Sequence, residues 1–130
     1  MRSLGLIGAL AYLPAVASAD LADERGITEG LITVGIAYEI AEVCPDIDGR
    51  RFRGLRYLLA LRSAAEDMGY SAAEIDAFVD DDAEKDRLEA IARRRLQAKG
   101  ARPGDPGSHC RVGMAEVASG SQIGRLLRPR

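Results

Sequence analysis

Cys44 and Cys110 are the only two thiols of the chain and stand far apart in it, which limits the chemistry open to them. Redox-active thiols sit two residues apart, within reach of one another in a single turn, and that spacing is absent. A metal centre would recruit His109, the only histidine, with Met68 or Met114, but no recognised ligand spacing joins these residues to the cysteines. What remains is a structural bridge, the normal fate of two thiols in an oxidising compartment. Closing a loop of roughly 65 residues removes about 4 kcal/mol of unfolded-chain entropy in the simple model. For a small domain that is a large share of the total stability.

The acidic run Asp80, Asp82 and Glu84 has the alternation of a calcium loop at its start. Lys85, however, stands where such a loop turns on glycine, and Ile91 stands where it needs a bidentate glutamate. The same acids suit the first turn of a helix, where they meet the partial positive charge of free backbone N–H groups. Paired carboxylates for acid–base catalysis need a histidine or a buried cleft to separate their proton affinities, and no spacing marks such a pair. The sequence therefore nominates no catalytic, cofactor-binding or metal-ligating residue, and no cofactor is expected.

Arg50, Arg51, Arg53 and Arg56 crowd the first turns of an apparent helix, where the backbone's own partial charge repels cations. Something of opposite sign has to offset them. The plain candidates are Glu39, Glu42, Asp46 and Asp48 in surface ion pairs. The functional candidate is a partner-docking patch of Arg50, Arg51, Phe52, Arg53 and Arg56, with Tyr57 interleaved, facing an acidic protein surface or anionic lipid head groups. Gly113, Gly120 and Gly124 fall inside what reads as the last helix and each weakens it by up to ~1 kcal/mol. Close packing within the domain is the favoured compensation, with a homodimer or a partner helix as the alternative.

The elements that must carry these groups read as helices. Apolar steps of three and four residues predict a first helix over 28–43, stopped at Cys44 by Pro45. A second helix is expected after Gly49 as far as Met68, with Phe52, Leu55, Leu58, Leu59, Leu61, Ala65 and Met68 forming a wide apolar face and Gly69 as its cap. Ser71 and Glu74 form a capping box ahead of a short third helix. A fourth helix runs from the acidic run to the basic residues Arg93, Arg94, Arg95 and Lys99, the order a helix dipole favours. Residues 101–108 read as an irregular connection. A single last helix is expected from Ser108 or His109 to just before Pro129, and no strand-like alternation is sustained.

The whole chain has 130 residues, 47% apolar and 29% charged, with a formal charge of −2, which describes one soluble domain and gives no general affinity for polyanions. At the start, Arg2 precedes an uncharged stretch over 3–19 that ends in Ala17-Ser18-Ala19. This pattern predicts a signal peptide cleaved after Ala19, since the stretch falls short of the ~20 residues a bilayer span requires. The expected organisation is a signal peptide over 1–19 and one all-α domain over 20–130, a bundle of four to five helices with one disulfide, Cys44–Cys110. The expected location is periplasmic or secreted, where nucleic acid is not a partner. No transmembrane span is expected in the mature chain, although peripheral membrane contact is compatible with it.

Four blocks carry a resemblance. Glu42 to Ile47, Gly69 to Phe78, Pro103 to Pro106 followed by Cys110, and Gly120 to Arg128 together resemble a small exported bacterial family with two cysteines, known only as a domain of unknown function. The resemblance covers most of the mature chain and implies no reaction or ligand. Genes of the family often neighbour those of the respiratory NADH-quinone oxidoreductase, which implies an assembly or accessory role at a membrane complex. The expected function is accordingly that of a non-enzymatic protein that binds another protein of the cell envelope. The alternatives are a small acid-stress chaperone and, behind it, an enzyme with an unrecognised carboxylate site.

Overall fold

Helix α1 (Arg25–Val43) is the element around which the others assemble in the computed structural model, which describes residues 20–130. The expected signal peptide and its cleavage point lie outside the described residues. A single 3-10 turn, Leu21–Asp23, precedes α1, and the Asp20 side chain accepts a hydrogen bond from the Ala22 N–H at its start. The helix thus begins three residues earlier than the apolar pattern indicates. It ends as Pro45 requires, with Cys44 in extended backbone and its N–H donating to the Ile40 carbonyl at 2.8 Å.

Strand β1 (Ile47–Gly49) follows, then α2 (Arg51–Asp67), which Met68 and the positive-φ Gly69 terminate. Both halves of the capping box are present at α3 (Ala72–Val79): the Glu74 N–H donates to Ser71 Oγ and the Ser71 N–H to Glu74 Oε1. Asp81 caps α4 (Asp82–Ala98) by accepting from the Glu84 N–H at 3.1 Å. The acidic run is thus the solvated start of a helix. α5 (Pro106–Ser119) opens with proline at its first position and Asp105 as cap.

The last segment differs from the single helix expected. α5 stops at Gly120, whose φ of +65° is left-handed, and Ser121 caps a separate turn of helix, α6 (Gln122–Arg125). α6 folds back so tightly that a Cβ on Gly124 would collide with the Glu116 backbone carbonyl. Strand β2 (Leu127–Pro129) then pairs antiparallel with β1, Ile47 opposite Pro129 and Gly49 opposite Leu127. Of the three glycines, Gly113 and Gly124 serve packing inside the domain, Gly113 lying against Ile40 and Ile47, whereas Gly120 serves as a cap. The bundle is therefore all-helical apart from this two-stranded clasp, with six α-helices among the described residues.

The main core gathers Ile32, Ile36 and Ile40 of α1 with Ile47, Leu96, Val112 and Leu127. A smaller cluster of Leu21, Ile27, Ala65, Tyr70 and Ile75 closes the other end of α1. The Cys44–Cys110 disulfide, with Cα atoms 5.1 Å apart, pins the end of α1 to the second turn of α5. No helix among the described residues is long and apolar enough to cross a membrane.

Candidate functional site

The arginines that the sequence crowds at the start of α2 are offset mainly by backbone. Arg50 Nε donates to the Leu127 carbonyl at 3.0 Å and Arg53 Nη1 to the Arg125 carbonyl at 3.0 Å. The Arg50 N–H donates to the Leu126 carbonyl at 2.7 Å. The Arg125 and Leu126 carbonyls end α6, where a helix leaves acceptors unfilled and a partial negative charge, and the Leu127 carbonyl is the first of β2. Arg53, misplaced for its own helix, is therefore well placed for another, and the Arg50 side chain is held by the strand that follows it.

The acidic neighbours do not pair with this cluster. Asp48 is held by Arg130 at 2.7 Å and more loosely by Arg128 at 3.8 Å, and the Asp46 carbonyl accepts from the Arg130 N–H. Glu39, Glu42 and the Asp46 carboxylate form no ion pair among the described residues. Arg51 and Arg56 likewise have no hydrogen-bonding or ion-pair partner among the described residues. The expected surface pairing with Glu39, Glu42, Asp46 and Asp48 is thereby corrected: β2 brings Arg128 and Arg130 to Asp48 first.

Around these groups lies a groove of about 1060 Å³. Val34, Ala37 and Ala41 of α1 and Leu126 give it an apolar lining, and Tyr38 and Phe52 stand along it. Six arginines line it (Arg50, Arg51, Arg53, Arg56, Arg128 and Arg130) against two acids, Glu42 and Asp48. The chain as a whole is net negative. Positive charge is thus gathered here rather than spread, and a concave wall concentrates its field.

Beside the groove, α2 turns a second apolar face to solvent. Only Ala65 of α2 is buried, while Phe52 is 85% exposed and Leu55 and Leu59 are each 54% exposed. At 100° per residue these three lie on the side opposite Tyr57, Leu61 and Ala64, which are partly buried against the two core clusters. Tyr38 of α1, 64% exposed, adds to the open apolar surface.

The remaining polar clusters hold the frame together. Glu116 accepts from Lys99 Nζ at 2.7 Å and from Ser121 Oγ, tying α4, α5 and α6. Burial pushes its carboxyl pKa up, but Lys99 and Ser121 outweigh this and leave it below the usual value. Glu29 of α1 meets Arg95 of α4 through two hydrogen bonds of 2.6 and 2.8 Å, which lower its pKa. At the far end of α1, Tyr70 donates to Glu24 at 2.9 Å, and burial, reinforced by that carboxylate, pushes its pKa up to about 12.

His109 is buried in the first turn of α5, its Nδ1 3.1 Å from the Asp105 carbonyl, an acceptor that requires the proton on Nδ1. Met68 and Met114 are surface residues. The one grouping of metal-ligating atoms among the described residues is Cys44, Cys110 and Asp46, whose two sulfurs are joined in the disulfide.

The sequence identifies Arg50, Arg51, Phe52, Arg53 and Arg56, and the structure brings all five to the groove. It does not reveal Tyr38, Leu126, Arg128 or Arg130, which only the folded chain carries there. The outward face of α2 had a readable signal: its apolar residues span more of the helix circumference than one core-facing stripe needs.

Neither the curated proteins nor the solved structures contain a match to the chain. One family model matches it over residues 19–128, nearly all of the described structure, and the chain belongs to that family, described as "Family of unknown function (DUF5333)".

Proposed function

We propose that the protein is a non-enzymatic accessory factor of the cell envelope that docks another protein on the arginine-lined groove and the adjoining face of α2. One observation carries the reading: a net-negative chain gathers six arginines and an exposed phenylalanine around a single groove. Arginine and aromatic side chains are the residues on which protein interfaces most often depend, and a concentrated positive field speeds encounter with an acidic partner. The frame behind the groove suits this task, because the disulfide and the β1–β2 clasp hold its walls in fixed relation. A disulfide of this kind also supports an oxidising compartment. An accessory role at a respiratory membrane complex, which the family resemblance implies, would meet such a partner at the outer face of the membrane.

A photo-crosslinking side chain placed at Phe52 in the living cell tests the reading. The expected result is one protein adduct of defined size, absent when the same group replaces the exposed Asp86 on α4. Equal labelling at both positions, or none at Phe52, would overturn it.

A further inference from the structure

We infer that the occupant of this surface is an acidic amphipathic helix belonging to a different protein, packed along α2 as the second strand of a short coiled coil. The inference rests on the docking reading and specifies its partner. Phe52, Leu55 and Leu59 follow one another at three and then four residues, the spacing of an a, d, a seam. The position opposite that seam is Tyr57, packed against the core, so the register of a two-stranded coil is the one in which α2 already lies. Arg51 and Arg56 fall at the flanking g and e positions, which choose partners by charge.

Of the four arginines at the start of α2, those are the two without a partner among the described residues, whereas Arg50 and Arg53 are held by the carbonyls of Leu127 and Arg125. The next seam positions are Arg62 and Glu66, 3.4 Å apart, with Arg62 also 3.0 Å from Asp76. The open seam therefore ends after two turns, and Tyr38 in the groove offers one further apolar anchor. Charge complementarity selects the occupant from three candidates. A second copy would set Arg51 against Arg56 in a parallel pair and Arg56 against Arg56 in an antiparallel one, so self-association is opposed. A lipid leaflet needs a long, broad apolar face, and this one, widened only by Leu58 at the next g position, ends after two turns at Arg62 and Glu66. A helix with apolar a and d residues and glutamates at e and g satisfies both the seam and its flanks.

The test titrates the disulfide-bonded protein with two synthetic helical peptides that share leucine and isoleucine at a and d and carry either glutamate or lysine at every e and g. Vesicles of phosphatidylglycerol form a third arm. The glutamate peptide should bind roughly tenfold more tightly than the lysine peptide. The double exchange Arg51→Glu with Arg56→Glu should reverse that order while leaving the circular dichroism spectrum and thermal midpoint unchanged. No binding of either peptide, equal binding of both, or an order that survives the exchange would overturn the inference. So would stronger association with the vesicles, or sedimentation as a dimer. Should Phe52 yield its protein adduct while the peptides are not told apart, the docking surface stands and the acidic helix falls.

Discussion

Helices α1 and α2 are nearly equal in length, 19 and 17 residues, and both carry apolar side chains at steps of three and four. α1 turns Ile27, Ile32, Ile36 and Ile40 inward and is enclosed by α4, α5, α6, α2 and β1. α2 lies at the margin against α1 and α3, buries only Ala65, and leaves Phe52, Leu55 and Leu59 in water. Apolar period alone establishes that a helix forms and which residues share a face. Which face meets the core depends on what else the chain brings alongside. An apolar face left over after that assignment is the better indicator of a binding surface.

Removing what fixes α1 should have the largest effect. Cys44→Ala with Cys110→Ala opens the link between α1 and α5 and should lower unfolding stability by about 4 kcal/mol, read from urea denaturation. Ile40→Ala, at a side chain with no exposed surface, should cost about 3 kcal/mol by the same measurement. Gly124→Ala, which drives a methyl group into the Glu116 carbonyl, should cost about 2 kcal/mol.

Acid should act next, on the joints around α1 and α5. Glu29, Glu116 and Asp105 have pKa values below their ordinary 4.5, 4.5 and 3.8. At Asp105 the Ser108 N–H is the main cause, with Arg102 assisting. A carboxyl group lowered by folding contributes its stability above the unfolded value and loses it as pH falls through the folded one. Urea midpoints should therefore stay level from neutrality to about pH 5 and decline progressively below it, with these carboxyls contributing to the decline.

Smallest of all should be Leu55→Ser with Leu59→Ser, a change within ~0.5 kcal/mol that nonetheless abolishes peptide binding. A loss comparable to that of Ile40→Ala would erase the contrast between the two helices and place the α2 face in a core.

Features fixed by neighbours in sequence were readable. Pro45 ends α1, Ser71 and Glu74 box the start of α3, and Gly69 closes α2, each through local backbone geometry. The disulfide was readable because only one pairing exists. The break at Gly120 was not, since a glycine tolerates helix and left-handed turn alike, and the choice depends on α6 folding back so that Gly124 meets Glu116 of α5. The strands leave no trace in the sequence for a related reason. Three residues each, one ending in proline, they carry no alternation to detect and owe their pairing to long-range closure. The arginine patch was visible, but its acceptors were not, because the Arg125 and Leu127 carbonyls reach it only once residues 125–127 have folded back.

That late closure bears on how the molecule is made. β1 lies directly behind α1, yet its partner strand is the last described segment, and the Arg130 N–H completes the seal at Asp46. The row of isoleucines on α1 is covered first by Ala92 and Leu96 of α4, and its enclosure is completed only by Val112, Ile123 and Leu127, about 70 to 90 residues further along. Such non-local pairing folds more slowly than a chain of successive hairpins. Until those later residues close over it, part of that ridge stays open to water, the kind of exposed apolar surface on which unfinished chains stick together.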